Sequence, residues 1–185
     1  MFLRAGPAAF LAMALSLLAA PAGWAQLAFL PEIRGGIAAH DVARPGSGLL
    51  DPARVRDVNV ELLFSAPGLD GWALLGELRP HLGVTLSLAG QESLVYAGLS
   101  WTVRAPVIPV FAEIGLGGAL HDGGLKGGPP RFGCAALFHG QASLGVEVLP
   151  RTALMATVQH ATDAGLCGVA DDPLTIAGLR LGIRF

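Results

Sequence analysis

The sequence predicts an all-β chain: an eight-stranded antiparallel transmembrane β-barrel of the outer-membrane type. Three observations carry this. First, the chain is hydrophobic without a place for a spanning helix. Its 185 residues are 52% apolar and 14% charged, against about 25% charge in an ordinary soluble domain, and the mean hydropathy is +0.57. Beyond residue 25 no run of the roughly 18 apolar residues that a spanning helix needs is present. Second, apolar and polar residues alternate with a period of two, the signature of strands with two unlike faces. Third, the connections alternate between long and short. With low charge and high apolar content, disorder is excluded.

The N-terminus reads as a secretory signal over residues 1–25. Arg4 is the positive n-region, Phe10 to Leu18 the apolar core, and Gly23 and Ala25 the small residues before the cut. Pro7 and Pro21 bracket a short core, which argues against an uncleaved anchor. Residues 26–185 then form one domain of 160 residues starting at Gln26. Of the twelve Lys and Arg only Arg4 precedes it, so the exported part carries eleven against fourteen Asp and Glu, net −3. No basic patch suggests nucleic acid. Cys134 and Cys167 both lie in the exported part, where a disulfide persists; two buried free thiols are the alternative.

Eight strands follow in order. The first sets Phe29, Ile33, Ile37 and Ala39 opposite Glu32, Arg34 and His40; the second sets Val58, Val60, Leu62 and Phe64 opposite Asp57, Asn59 and Glu61. The third sets Leu78 to Leu86 at even positions against Glu77, Arg79, His81, Thr85 and Ser87. The fourth opposes Val95, Ala97, Leu99, Trp101 and Val103 to Tyr96, Ser100, Thr102 and Arg104. In the fifth, Ile108, Val110, Ala112, Ile114 and Leu116 face away from Glu113 and Gly115. The sixth sets Ala136, Phe138, Ala142, Leu144, Val146 and Val148 against His139, Gln141, Ser143 and Glu147. The seventh opposes Leu154, Ala156 and Val158 to Thr157 and Gln159, and the eighth opposes Ala177, Leu179, Leu181, Ile183 and Phe185 to Gly178, Arg180, Gly182 and Arg184.

A soluble lipocalin-like barrel would turn the apolar face inward, and a transmembrane barrel turns it to lipid. The alternations span about 9 to 13 residues, enough to cross a bilayer when tilted and longer than soluble strands. Connections at 41–54, 88–93, 121–134 and 163–173 are long, whereas those at Ala105-Pro106 and Pro150-Arg151 are tight and only 65–73 is an exception. That is the asymmetry of outer-membrane barrels. Their interior at eight strands is filled by side chains, so the lumen is a plug of charge pairs and not a pore.

Motifs for a serine-hydrolase elbow, a zinc protease or a phosphate loop are absent. Gly123 to Gly128 is a loop with one Lys and carries at most a phosphate cradle. His40, His81, His121 and His139 fall on the polar face or at loop ends, and the cysteines lack zinc-site spacing. His160 differs. It follows Ala156 and Val158 in register on the lipid-facing stripe, with Thr162 two residues on. Side chains at i and i+2 of a strand lie about 7 Å apart at Cβ, so His160 could act as base and Thr162 as nucleophile toward a lipid ester. The alternative is that both lie where the belt meets headgroups and polar residues are tolerated.

Gln159-His160-Ala161-Thr162-Asp163-Ala164-Gly165-Leu166-Cys167, then Asp172-Pro173-Leu174-Thr175 and Gly178 to Phe185, resemble the C-terminal region of PagL-type lipid A 3-O-deacylases, also described as acyloxyacyl-hydrolase-like outer-membrane proteins. Looser similarity covers Arg79 to Gly83, Val95 to Trp101 and Gly117 to Gly123. The resemblance implies a barrel with a Ser-His-Glu triad on its lipid-facing wall that removes the 3-position acyl chain of lipid A. His160 matches the family histidine, while Thr162 stands at the serine, Asp163 at an asparagine proposed to support the oxyanion, and Thr175 at the glutamate. A carboxylate at the oxyanion repels it, and a threonine cannot hold imidazolium charge. Asp163, Asp171 or Asp172 of the last outer loop are the nearby carboxylates. The resemblance further implies lipid A of the outer leaflet as partner, an outer-membrane location, no cofactor, and room for a homodimer. A catalytically inactive structural or lipid-binding barrel of the same fold is the alternative.

Overall fold

A computed structural model describes residues 30–43, 52–66, 68–69, 76–123, 131–167 and 172–185. The signal segment and Phe29, most of Gly123 to Gly128, and Asp171 lie outside the described residues. The strands are β1 (Glu32–Ala39), β2 (Val55–Leu63), β3 (Glu77–Ser87), β4 (Leu94–Arg104), β5 (Val110–His121), β6 (Ala136–Leu149), β7 (Thr152–Thr162) and β8 (Leu174–Arg184), with a 3-10 turn at Pro52–Arg54 leading into β2. They form a closed barrel in chain order, every pair antiparallel, with β1 closing on β8. Closure pairs every edge, as strands in hydrocarbon require.

The expected eight strands are all present, with small differences at their ends: His40, Phe64 and Phe185 lie just past β1, β2 and β8. Strand lengths run from 8 residues in β1 to 14 in β6. Ile108, expected within the fifth strand, lies in the turn before it. Pro106 and Pro109 bracket that turn and have no N–H to donate to a ladder, and the turn closes through the Ala105 N–H on the Val110 carbonyl at 2.9 Å. The tight connections, β4–β5 and β6–β7, lie at one end with the β2–β3 link; the other four lie opposite.

The polar face points inward. Glu32, Arg34, Asp57, Glu61, Arg79, Glu113 and Arg180 are all buried. Arg34 is the hub: it donates to Glu32 at 2.6 Å, to Glu61 at 3.1 Å and to both oxygens of Glu113 at 2.5 and 2.8 Å. Arg79 bonds Glu32 at 2.7 Å, and Arg180 reaches Glu61 at 3.4 Å. The other four charged residues of this face, Glu77, Arg104, Glu147 and Arg184, form a half-exposed ring of pairs at the tight-turn rim. Outward positions are apolar and exposed, among them Ile37, Val60, Leu82, Leu99, Ile114, Leu144, Val158 and Leu179. Charge inside and hydrocarbon outside is the inverse of a soluble barrel and is what a bilayer demands.

The lumen is not polar throughout. Ala38, Leu94, Tyr96, Ala119, Phe132, Leu137, Ala161, Leu174 and Ile176 form an apolar plug at the long-loop end. Phe111, Ala153 and Met155 form a smaller one at the tight-turn end. Two glycines make room for the inward rings. A Cβ on Gly83 would lie 2.3 Å from the Tyr96 ring, and one on Gly145 would lie 2.2 Å from the Phe111 ring. The alternating pattern hides these plugs, because an inward leucine next to an outward one breaks no local rule.

Candidate functional site

β7 decides which way His160 points. Along it Ala153, Met155, Thr157, Gln159 and Ala161 are buried, and Leu154, Ala156, Val158 and His160 are exposed. His160 therefore stands on the outer wall, near the long-loop end. Its register partners are Gly140 on β6 and Thr175 on β8. Gly140 presents no side chain on one flank. On the other, His160 Nδ1 lies 3.0 Å from Thr175 Oγ1. With the proton on Nδ1 donated to Thr175, Nε2 keeps its lone pair, the form a general base needs.

Thr162 ends β7 on the same face, and its Oγ1 accepts the Ala164 N–H at 2.9 Å. Asp163 turns the other way. It is buried, and its Oδ2 accepts the Gly133 N–H at 3.0 Å while its Oδ1 accepts the Gly165 N–H at 2.8 Å. Asp172 pairs with Arg131 at 3.3 Å. The structure thus joins His160 with Thr175, leaves Thr162 two residues on along the same face with its hydroxyl bonded to the following turn, and gives the carboxylates of Asp163 and Asp172 to the loops.

Cys134 and Cys167 form a disulfide, Cα to Cα 5.6 Å, that ties the β5–β6 loop to the β7–β8 loop. Their sulfurs and the Asp163 carboxylate lie within 4.8 Å of one another, but sulfurs bonded to each other are not the thiolates that bind metal. Arg131 fastens the same region. It donates to the Asp41 side chain at 2.9 Å and to the Asp172 and Pro173 carbonyls, both at 2.7 Å. Nothing in the local sequence marks Arg131 or Gly133 for this work, since both sit in a loop without periodicity.

The remaining histidines serve the interior and the loops. His81 Nδ1 meets Ser100 Oγ at 2.9 Å, and His139 stacks on Tyr96 at 4.2 Å. His121 Nε2 meets the Cys134 carbonyl at 2.9 Å. His40, just past β1, lies between Asp57 at 2.7 Å and Glu92 at 3.4 Å. Burial works to lower its pKa, but hydrogen bonds and charge from Asp57 and Glu92 prevail and raise it to about 9. The bond from His40 in turn holds Glu92 down at about 2.

The sequence profile of the family described as lipid A 3-O-deacylase (PagL) matches residues 63–184. No curated protein matches the chain in sequence. Among solved structures, the crystal structure of the outer membrane enzyme PagL is similar, with a TM-score of 0.55 and 15% identity over 83% of this chain and 99% of that one. The outer-membrane protein Ail of Yersinia pestis gives 0.46 and 14% over 84% and 99%, and Neisserial surface protein A gives 0.46 and 10% over 85% and 97%.

Proposed function

The chain belongs to the lipid A 3-O-deacylase (PagL) family, and from that premise we propose that it is an outer-membrane ester hydrolase that removes the 3-position acyl chain of lipid A. The observation that supports this reading is the exposed His160, bonded to Thr175 at 3.0 Å at the end of the apolar outer stripe of Leu154, Ala156 and Val158. A base placed there meets the ester of a lipid in the leaflet without the substrate leaving the bilayer.

The chemistry follows from the residues. His160 Nε2 takes the hydroxyl proton of Thr162 as Oγ1 attacks the ester carbonyl carbon. The tetrahedral intermediate collapses, the sugar oxygen leaves, and the imidazolium returns the proton to it. Water, activated by His160, then cleaves the acyl-threonine ester and releases the fatty acid. In the tautomer the reaction needs, Thr175 accepts from Nδ1–H, but it cannot balance the imidazolium charge as a carboxylate would. The methyl of Thr162 restricts χ1 and crowds the attack. Turnover is expected to be slow.

A second reading, a non-catalytic lipid-binding barrel on the same scaffold, is favoured by one observation: among the described residues the partner of His160 is a neutral hydroxyl and no carboxylate. Mass spectrometry of lipid A from cells expressing the protein separates the two. The hydrolase reading expects loss of one 3-hydroxyacyl chain, reduced by roughly 100- to 10,000-fold in His160→Ala. Unaltered lipid A in cells whose membranes hold the heat-modifiable barrel supports the second reading instead.

A further inference from the structure

The hydroxyl proposed as nucleophile sits on the last residue of β7, so its aim depends on the turn that follows. That turn is unusual. Ala164 has φ 55° and Gly165 φ 70°, left-handed at both central positions, and the Leu166 N–H closes on the Asp163 carbonyl at 3.1 Å. A residue with a Cβ holds such a conformation only where its surroundings over-determine it. Here three further bonds do so. Thr162 Oγ1 accepts the Ala164 N–H at 2.9 Å, Asp163 Oδ1 accepts the Gly165 N–H at 2.8 Å, and Asp163 Oδ2 accepts the Gly133 N–H at 3.0 Å.

Gly133 belongs to the neighbouring loop, which is itself anchored. Phe132 is buried in the apolar plug, and the Cys134 carbonyl meets His121 Nε2 at 2.9 Å. The two loops touch at backbone distance: a Cβ on Gly133 would lie 2.6 Å from Cys167 Cβ and 2.7 Å from the Cys167 carbonyl oxygen. The Cys134–Cys167 disulfide closes the same junction covalently.

We propose that Asp163 and the Cys134–Cys167 disulfide form a latch between the two loops that fixes the rotamer of the Thr162 hydroxyl on the face of β7 that carries His160, making Asp163 a positioning residue and not a group at the oxyanion. This rests on the hydrolase reading above. The hydrogen bond from Ala164 holds the Thr162 rotamer; the latch holds Ala164. A misplacement of about 1 Å in a reacting group costs on the order of 100-fold in rate, so a turn that drifts has a catalytic effect without any change in the barrel.

The test uses the full chain in detergent micelles with 13C-labelled threonine methyls, alongside lipid A hydrolysis. The wild type is expected to show one sharp Thr162 methyl resonance. Asp163→Ala and the Cys134→Ser/Cys167→Ser double variant are expected to shift or split it, with kcat down roughly 10- to 100-fold, KM little changed and heat-modifiable migration retained. Asp163→Asn, which sets an NH2 against one of the two N–H groups, is expected to fall between. Reduction of the folded wild type with dithiothreitol gives the same comparison if a variant does not fold. An unchanged Thr162 resonance and unchanged kcat in all of these overturns the latch. A rise in kcat in Asp163→Asn also overturns it, because an amide at the oxyanion would donate where the carboxylate repels. A wild type that leaves lipid A intact while the variants still split the Thr162 resonance defeats the hydrolase reading and leaves the latch in place.

Discussion

Arg34 and His160 are both polar side chains on strands of one barrel, and their surroundings are opposite. Inside, Arg34 is held by three carboxylates, Glu32, Glu61 and Glu113, with little access to water. Outside, His160 is exposed and its bonded neighbour is the neutral hydroxyl of Thr175. The buried charge is tolerable only because each group has a partner of opposite sign at hydrogen-bond distance. The exposed imidazole needs no such compensation, since it lies toward the end of its strand, where the cost of polarity on a lipid face falls to about 0–1 kcal/mol. The lumen is thus built for stability, and the wall can carry reactivity without weakening it.

Cutting the interior hub is expected to have the largest effect. Arg34→Met leaves Glu32, Glu61 and Glu113 facing one another, at a cost of roughly 3–5 kcal/mol for a broken buried pair. Urea unfolding in micelles, followed by tryptophan fluorescence, should show it, with His160→Ala within about 0.5 kcal/mol of wild type. Equal destabilisation by both would erase the contrast between lumen and wall. Next comes a change that brings the logic of the interior to the exterior. Thr175→Glu places a carboxylate opposite His160, in the register seen between β7 and β8, and is expected to raise lipid A hydrolysis on the order of tenfold or more. No gain at all would favour the non-catalytic reading.

The smallest effect is at the long-loop rim, where the two regimes meet. His40 is raised from 6.5 to about 9 against the pull of burial, by Asp57 and Glu92. Its contribution to stability is complete below pH 6.5 and fades as pH rises through about 9. Glu92 is lowered from 4.5 to about 2, chiefly by the bond from His40, so its contribution is complete above pH 4.5 and is lost as pH falls through about 2. The His40 cluster should therefore be firmest between pH 4.5 and 6.5, and His40→Ala should flatten the stability profile above that window. Amide exchange of the residues around His40 as a function of pH would check both limbs.

Much of this was legible in the residues. A period of two in Leu78 to Leu86 or Leu179 to Ile183 reports a strand with one apolar face, and the run lengths report a bilayer, because both are local properties of the chain. The outward placement of His160 follows from Ala156 and Val158 by the same counting. Other features were out of reach of any single strand. The inward plug of Leu94, Leu137, Leu174 and Ile176 looks like ordinary apolar sequence until eight strand ends are brought together. Asp163, two residues from a turn glycine, could as well have faced the wall as the loops.

The sequence by itself determined the strands, their lengths, the two faces and the stripe on which His160 and Thr162 stand, since alternation is written in neighbouring positions. Only the tertiary structure decided that Thr175 meets His160, that Asp163 reaches Gly133 thirty residues away, and that Arg34 gathers carboxylates from three strands. Those contacts depend on the register between strands and on how loops cross at the barrel mouth, and register is set by closure of the whole sheet and not by any one segment of it.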